Sequence, residues 1–153
     1  MPSTPSASDL TAHLGYWLRY VSNHVAQAFA RKVQARGVTV AEWVLMRQLL
    51  EEQAVAPSRL ADRMGMTRGA ISKLADRLIA KGMLVRVADP EDGRAQTLAL
   101  KPAGRALVPV LAALADANDA EFFDHLAPAD RAALFRILRG IVEKRGLKSL
   151  PVK

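Results

Sequence analysis

Apolar residues recur at helical spacing along most of this chain and alternate at strand spacing in one short stretch. From Ser8 the row Leu10, Leu14, Trp17, Val21, Val25, Ala28 and Val33 runs to Gly37, with Ser8 placed to cap a helix and Gly37 to end it. A helix of that span is roughly 40 Å long, more than one small domain covers. Its second apolar row, Tyr16, Tyr20 and Phe29, predicts packing on a partner chain. Thr39-Val40-Ala41-Glu42 is a capping box, so a second helix opens there and continues through Trp43, Leu45, Met46, Leu49 and Leu50.

Residues 57–82 then read as two short helices joined by a tight turn. Leu60, Met64, Ile71, Leu74 and Leu78 fall on one side of the pair. Pro57 suits a first helical turn, Ala61 permits a close crossing, and Gly65 can take the positive φ that ends the first helix. The second helix starts near Thr67 and stops at Gly82. Its outward face carries Thr67, Arg68, Gly69, Ser72, Lys73 and Arg77, the residue types of a helix that lies in a DNA major groove.

The strand-like stretch follows directly. Residues 83–88 are apolar apart from Arg86, and residues 95–100 alternate, setting Ala95, Thr97 and Ala99 opposite Gln96, Leu98 and Leu100. Pro90 and Asp92-Gly93 supply turn chemistry between them, so the segment is a β-hairpin, the wing of a winged helix-turn-helix. Lys101-Pro102 begins another long helix through Leu107, Leu111, Leu114, Phe122, Phe123 and Leu126, with a kink expected at Pro109. Ala127-Pro128 opens a last helix, with Leu134, Ile137, Leu138, Ile141 and Val142 on one face and Gly146 at its end.

The predicted fold is mainly α with a small β-hairpin: a winged helix-turn-helix with long N- and C-terminal dimerisation helices. Residues 1–7, rich in Pro, Ser and Thr, form a disordered tail. Residues 8–147 form one domain, in which 39–101 are the winged helix-turn-helix and 8–37 and 102–147 the dimerisation helices. Residues 148–153 are a C-terminal tail.

Charge sharpens this. The 153 residues carry a net charge of +7, and residues 55–105 hold ten Lys/Arg against five Asp/Glu. A basic centre of this kind attracts phosphates in a salt-sensitive way. The chain has no cysteine, which excludes disulfides, thiol redox sensing and Cys-based zinc sites. His13, His24 and His125 lack metal-ligand spacing, so neither a metal site nor a cofactor is expected. The longest apolar run, Ala106–Ala115, is about half a membrane span. With no secretion signal at the N-terminus, a cytoplasmic location is expected and no membrane partner. A phosphate-cradling loop and a nucleophile elbow are both missing from the sequence, so no enzymatic activity is expected.

The residues Leu74-Ala-Asp-Arg-Leu-Ile-Ala-Lys-Gly-Met-Leu-Val-Arg86, then Asp89-Pro-Glu-Asp-Gly-Arg94, then Leu98-Ala-Leu-Lys-Pro-Ala-Gly-Arg105 carry a family pattern. In order and spacing they resemble the MarR (multiple antibiotic resistance regulator) family of transcription factors, and the likeness extends over about residues 9–146. Three departures stand out. The wing tip reads Asp-Gly-Arg where many relatives have Asp-Arg-Arg. Lys101 and Ala127 stand where a capping Thr or Ser is frequent, and each lost cap costs about 1 kcal/mol. The resemblance implies a homodimer with intertwined terminal helices, a near-palindromic double-stranded DNA operator that is usually repressed, and release by a small, often aromatic and anionic effector.

Arg68 is the candidate for reading a guanine edge, while Thr67, Ser72 and Lys73 suit phosphate or a thymine methyl, and Gly69 allows close approach. Arg94 at the hairpin tip suits the narrow minor groove, with Asp92 fixing the tip by hydrogen bonding or pairing with Arg94. Arg77 and Arg86 fit phosphate contact or an internal ion pair equally well. The resemblance places an effector pocket near His13, Tyr16, Trp17, Tyr20 and Trp43, although aromatics at helical spacing are more often core or interface. Two other functions remain open: a winged-helix protein-interaction module, and an effector-independent DNA-binding protein attracted mainly by charge.

Overall fold

The computed structural model describes residues 5–89 and 91–152. Residues 1–4 of the predicted tail and the turn residue Pro90 lie outside it. Six α-helices and one hairpin follow in the order expected: α1 Leu14–Gln34, α2 Val40–Leu49, α3 Pro57–Met64, α4 Arg68–Ala80, β1 Leu84–Ala88, β2 Gln96–Leu100, α5 Pro102–Phe123 and α6 Pro128–Arg145.

The first helix starts later than its apolar row suggests. Leu10–Ala12 form a separate 3-10 turn, and α1 begins after His13, which is extended at φ −95° and ψ 127°. Ser8 therefore caps nothing. The Trp17 indole N–H donates to the Thr11 carbonyl at 2.9 Å and ties the turn back onto the helix. The other end behaves as read, since Gly37 takes φ 80° and Val38 N–H donates to the Val33 carbonyl.

The capping box on α2 is complete. Glu42 N–H donates to Thr39 Oγ1 at 3.1 Å, and Thr39 N–H donates to Glu42 Oε1 at 3.0 Å. The helix-turn-helix forms around one apolar face, with Leu60, Ala61, Met64, Ile71, Leu74, Ala75 and Leu78 all buried. Gly65 ends α3 at φ 64° and Gly82 follows α4 at φ 76°, both in the left-handed region that glycine enters at little cost. The core continues into α2 through Leu45, Met46 and Leu49 and into α5 through Val108 and Leu111.

The hairpin pairs Leu84 with Leu100 and Ala88 with Gln96, antiparallel. Its alternation is imperfect. Thr97 is buried beside Leu98 because its hydroxyl donates to the Val87 carbonyl at 2.9 Å, which satisfies the polar atom. Val55 adds a third short rung that local pattern did not signal, exchanging two backbone hydrogen bonds with Leu98 at 2.8 and 2.9 Å.

Helix α5 continues unbroken through Pro109, whose missing N–H leaves the Arg105 carbonyl without its usual donor. Gly104, in its first turn, is a packing requirement: a Cβ there would collide with the Met83 carbonyl oxygen. As the sequence implies, neither Lys101 nor Ala127 makes a side-chain cap. Lys32 Nζ joins α1 to α5, donating to Asn118 Oδ1 at 2.9 Å and Glu121 Oε2 at 2.6 Å, while Asn118 Nδ2 donates to the Val25 carbonyl.

Among the described residues two faces have nothing to pack on. Leu14, Trp17, Leu18, Tyr20 and Val21 of α1 are half or more exposed, or close to it, and no residue of α6 is buried. The C-terminal residues depart from the prediction of a tail. Leu150 and Val152 pack against the core, because extended residues two apart face the same way and both are apolar. Among the described residues no helix is long and apolar enough to cross a membrane.

Candidate nucleic-acid interface

Helix α4 is held from below and open from above. Thr67 caps it, its Oγ1 accepting from Ala70 N–H at 3.1 Å. Ile71, Leu74, Ala75 and Leu78 point into the core, so the helical period leaves Arg68, Gly69, Ser72, Lys73, Asp76 and Arg77 exposed together. The structure thus gathers the predicted reading residues on one face. Thr67 adds a local role that sequence reasoning passed over: one of its lone pairs is engaged in the cap, and its hydroxyl proton is free to donate.

Ion pairing divides the basic residues of the lobe. Arg86 Nη2 meets Asp76 Oδ1 at 2.6 Å, so of the two roles left open for Arg86 the internal one is occupied. Arg63 holds Glu52 at 3.0 Å, with Arg59 at 3.9 Å. The Arg63 hydrogen bonds lower the Glu52 carboxyl below its ordinary range against a smaller opposing effect of desolvation. Glu52 is therefore half-buried and committed. Among the described residues Arg68, Lys73, Arg77 and Arg94 enter no ion pair.

Lys81, at the end of α4, was not singled out by its sequence context. Its ammonium donates to both Glu42 oxygens at 2.8 and 3.0 Å and to the Gly37 carbonyl at 2.8 Å. Glu42 is completely buried. Burial alone raises its pKa, but the hydrogen bonds from Lys81 and Thr39 outweigh that and hold the carboxyl below its ordinary value. One residue thereby caps α2 and fixes the far end of α4.

At the wing tip Asp92 fixes the turn by accepting from the Arg94 N–H at 3.1 Å, and Asp89 Oδ1 accepts from Glu91 N–H. The Arg94 side chain is exposed. Asp92 acts on the backbone, so the guanidinium stays available.

The residues expected near an effector pocket are only partly assembled. Tyr16, Trp17 and Tyr20 form a ladder on α1 with centroids 5.2 to 6.3 Å apart, and His24 extends it by stacking on Tyr20 at 5.2 Å. His24 belongs to this cluster, and its place four residues after Tyr20 is the signal that would have found it. His13 serves as the residue before α1, and Trp43 packs on the lobe core apart from the ladder. The apolar cleft of about 210 Å³ lies elsewhere, between α5 and α6, walled by Phe123, Leu126, Leu134, Phe135 and Leu138. Among the described residues no group of His, Asp or Glu could hold a metal ion.

Comparison with known proteins agrees with this geometry. The MarR family model matches residues 36–95, which span α2 to the wing. A candidate transcriptional regulatory protein for the hcr operon of Thauera aromatica is 29% identical over 135 residues, covering 86% of this chain and 80% of its own. An HTH-type transcriptional repressor of Mycobacterium bovis is 27% identical over 127 residues, covering 83% and 91%. The crystal structure of CouR from Rhodococcus jostii RHA1, bound to p-coumaroyl-CoA, superposes with a TM-score of 0.76 at 25% identity, covering 88% of this chain and 95% of that one. With its winged helix-turn-helix, the exposed basic face of α4 and these relatives, the chain is similar to the DNA-binding transcriptional regulators of the MarR family.

Proposed function

We propose that this regulator is a homodimeric repressor that reads a near-palindromic operator in the cytoplasm and leaves it when a small aromatic, anionic ligand binds. The carrying observation is the division of cations on the lobe: Arg86, Arg63 and Lys81 are engaged with carboxylates, whereas Arg68, Lys73, Arg77 and Arg94 stand exposed and unpaired among the described residues. Arg68 contacts a guanine edge, Ser72 and Lys73 contact phosphate, Gly69 allows the helix to approach closely, and Arg94 enters the minor groove. Thr67 donates its hydroxyl proton to a phosphate while capping α4, and Arg77 supports from further along the helix.

The exposed apolar faces of α1 and α6 supply the dimer interface. Leu134, Ile137, Leu138, Ile141 and Val142 repeat along α6 at helical spacing, and exposed apolar residues on this scale mark an interaction surface. A two-fold axis between such faces places two α4 helices about 34 Å apart, one turn of B-DNA. The Tyr16–Trp17–Tyr20–His24 ladder borders this interface and offers aromatic stacking to a ligand. CouR was crystallised with p-coumaroyl-CoA, an aromatic and anionic molecule, which supports the same ligand class here. Ligand seated between lobe and dimer helices alters the spacing of the reading helices and with it operator affinity.

The test is a gel shift with DNA from upstream of the protein's own gene against random DNA at physiological salt. Tighter binding of the upstream fragment, reversed by an aryl-CoA or aryl carboxylate, is the expected result. Equal binding of both fragments would reduce the protein to a charge-driven binder. No binding even at low salt would leave the interaction-module reading.

A further inference from the structure

Past α6 the chain turns back onto the DNA-binding lobe. Gly146 closes the helix at φ 61°, and Leu147 N–H donates to the Val142 carbonyl at 3.0 Å, so the helix end is complete before the last residues begin. Two separate contacts then hold residues 148–152 on the lobe, one against its apolar core and one at the turn between α3 and α4. Leu150 and Val152 are half-buried against the apolar core. Ser149 lies directly over Gly65, where an added Cβ would come within 2.6 Å of Ser149 Oγ and 2.8 Å of its Cα. Pro151 between the two apolar residues favours an extended backbone in which both face the lobe.

The place of contact matters. Gly65 is the left-handed residue that ends α3, Met66 N–H donates to the Ala61 carbonyl at 3.0 Å, and Thr67 caps α4 two residues later. The turn therefore sets where the Arg68 end of α4 stands. Five residues span at most about 17 Å, so the end of α6 cannot move far from this turn without pulling the contact apart.

We propose that residues 148–152 are a strap joining α6 to the α3–α4 turn, through which the position of the dimer helix sets the position of the reading end of α4. The inference rests on the DNA-reading role assigned to α4. The strap acts by positioning and touches no DNA.

Two variants test it: a chain ending at Leu147, which keeps the α6 cap, and full-length Leu150→Asp/Val152→Asp. Hydrogen exchange is read at the turn amides 66–70 and at the α2 amides 45–49, alongside sedimentation and operator binding by fluorescence anisotropy. The expected result is an unchanged oligomer, at least tenfold faster exchange at the turn with α2 unchanged, and operator affinity weakened about tenfold. Unchanged exchange at the turn overturns the strap, as does an equal rise at the turn and in α2, which would mean general loosening. Faster turn exchange with unaltered operator affinity overturns its link to reading. Failure of the wild-type chain to bind any operator, with the exchange pattern as expected, would instead strike the assigned role of α4 and leave the contact standing.

Discussion

Replacing Lys81 with methionine removes the cation from a buried carboxylate while keeping a side chain of similar length. In the native chain Glu42 receives Lys81 Nζ at 2.8 and 3.0 Å and the Thr39 N–H at 3.0 Å. Breaking a fully buried pair by deleting one partner costs about 3–5 kcal/mol. Here the Lys81 side chain is 39% exposed against 1% for Glu42, so water reaches the pair from one side and the cost falls to roughly 2 kcal/mol. The Glu42 pKa is lowered on folding. The pair therefore stabilises fully above the unfolded value of about 4.3, and that stability is lost as pH falls through the lower folded value. Urea unfolding followed by circular dichroism at pH 7 and at pH 3.5 measures this. Lys81→Met should lose about 2 kcal/mol at pH 7 and distinctly less at pH 3.5. In a double-mutant cycle, Glu42→Gln should remove most of the Lys81→Met effect, since it leaves no charge to orphan. A loss under about 0.5 kcal/mol at pH 7, the range of ordinary surface substitutions, or a loss that does not shrink in acid, would refute the reasoning.

Further outcomes follow from other contacts. Gly104→Ala should destabilise by at least about 1 kcal/mol in the same unfolding assay, because the Met83 carbonyl occupies the Cβ position; in an open helix the same change stabilises by about 1 kcal/mol. Arg68→Ala should relax base preference at one position per half-site, costing about 1–3 kcal/mol on the preferred sequence, whereas Arg94→Ala should weaken most sequences alike; binding to a panel of single-base variants distinguishes them, and the reverse pattern would mean the contacts are misassigned. Leu138→Asp/Ile141→Asp should yield monomers by sedimentation and abolish tight operator binding. A variant that stays dimeric would remove α6 from the interface.

How much of this was legible in the sequence depended on how local each cause is. The α2 capping box, the glycines at 37, 65, 82 and 146, and the apolar face of α4 are set within a few residues, and all were readable. The start of α1 was misjudged because an apolar row shows where a helix is allowed, whereas the Trp17–Thr11 bond decides where the regular helix gives way. What escaped was long-range. Val55 meets Leu98 across 43 residues of chain, Lys81 reaches Glu42 across 39, and Gly104 packs on Met83. None of these carries a local signature. The docking of Leu150 and Val152 had a weak one, two apolar residues spaced for an extended strand, but it named no surface to bind. At the reading face the residue types and their grouping were legible, and the structure added which cations are already paired.

The most direct measurement of the central claim, two α4 helices held at one spacing by a dimer, is the dependence of affinity on half-site separation. Once footprinting has located the operator, five base pairs inserted between its half-sites rotate one by half a turn of B-DNA. Binding by fluorescence anisotropy at fixed physiological salt should then fall to that of random DNA, a loss on the order of 10³ or more, with the intact operator saturating at two chains per site. Unchanged affinity after the insertion, or saturation at one chain, would contradict the account.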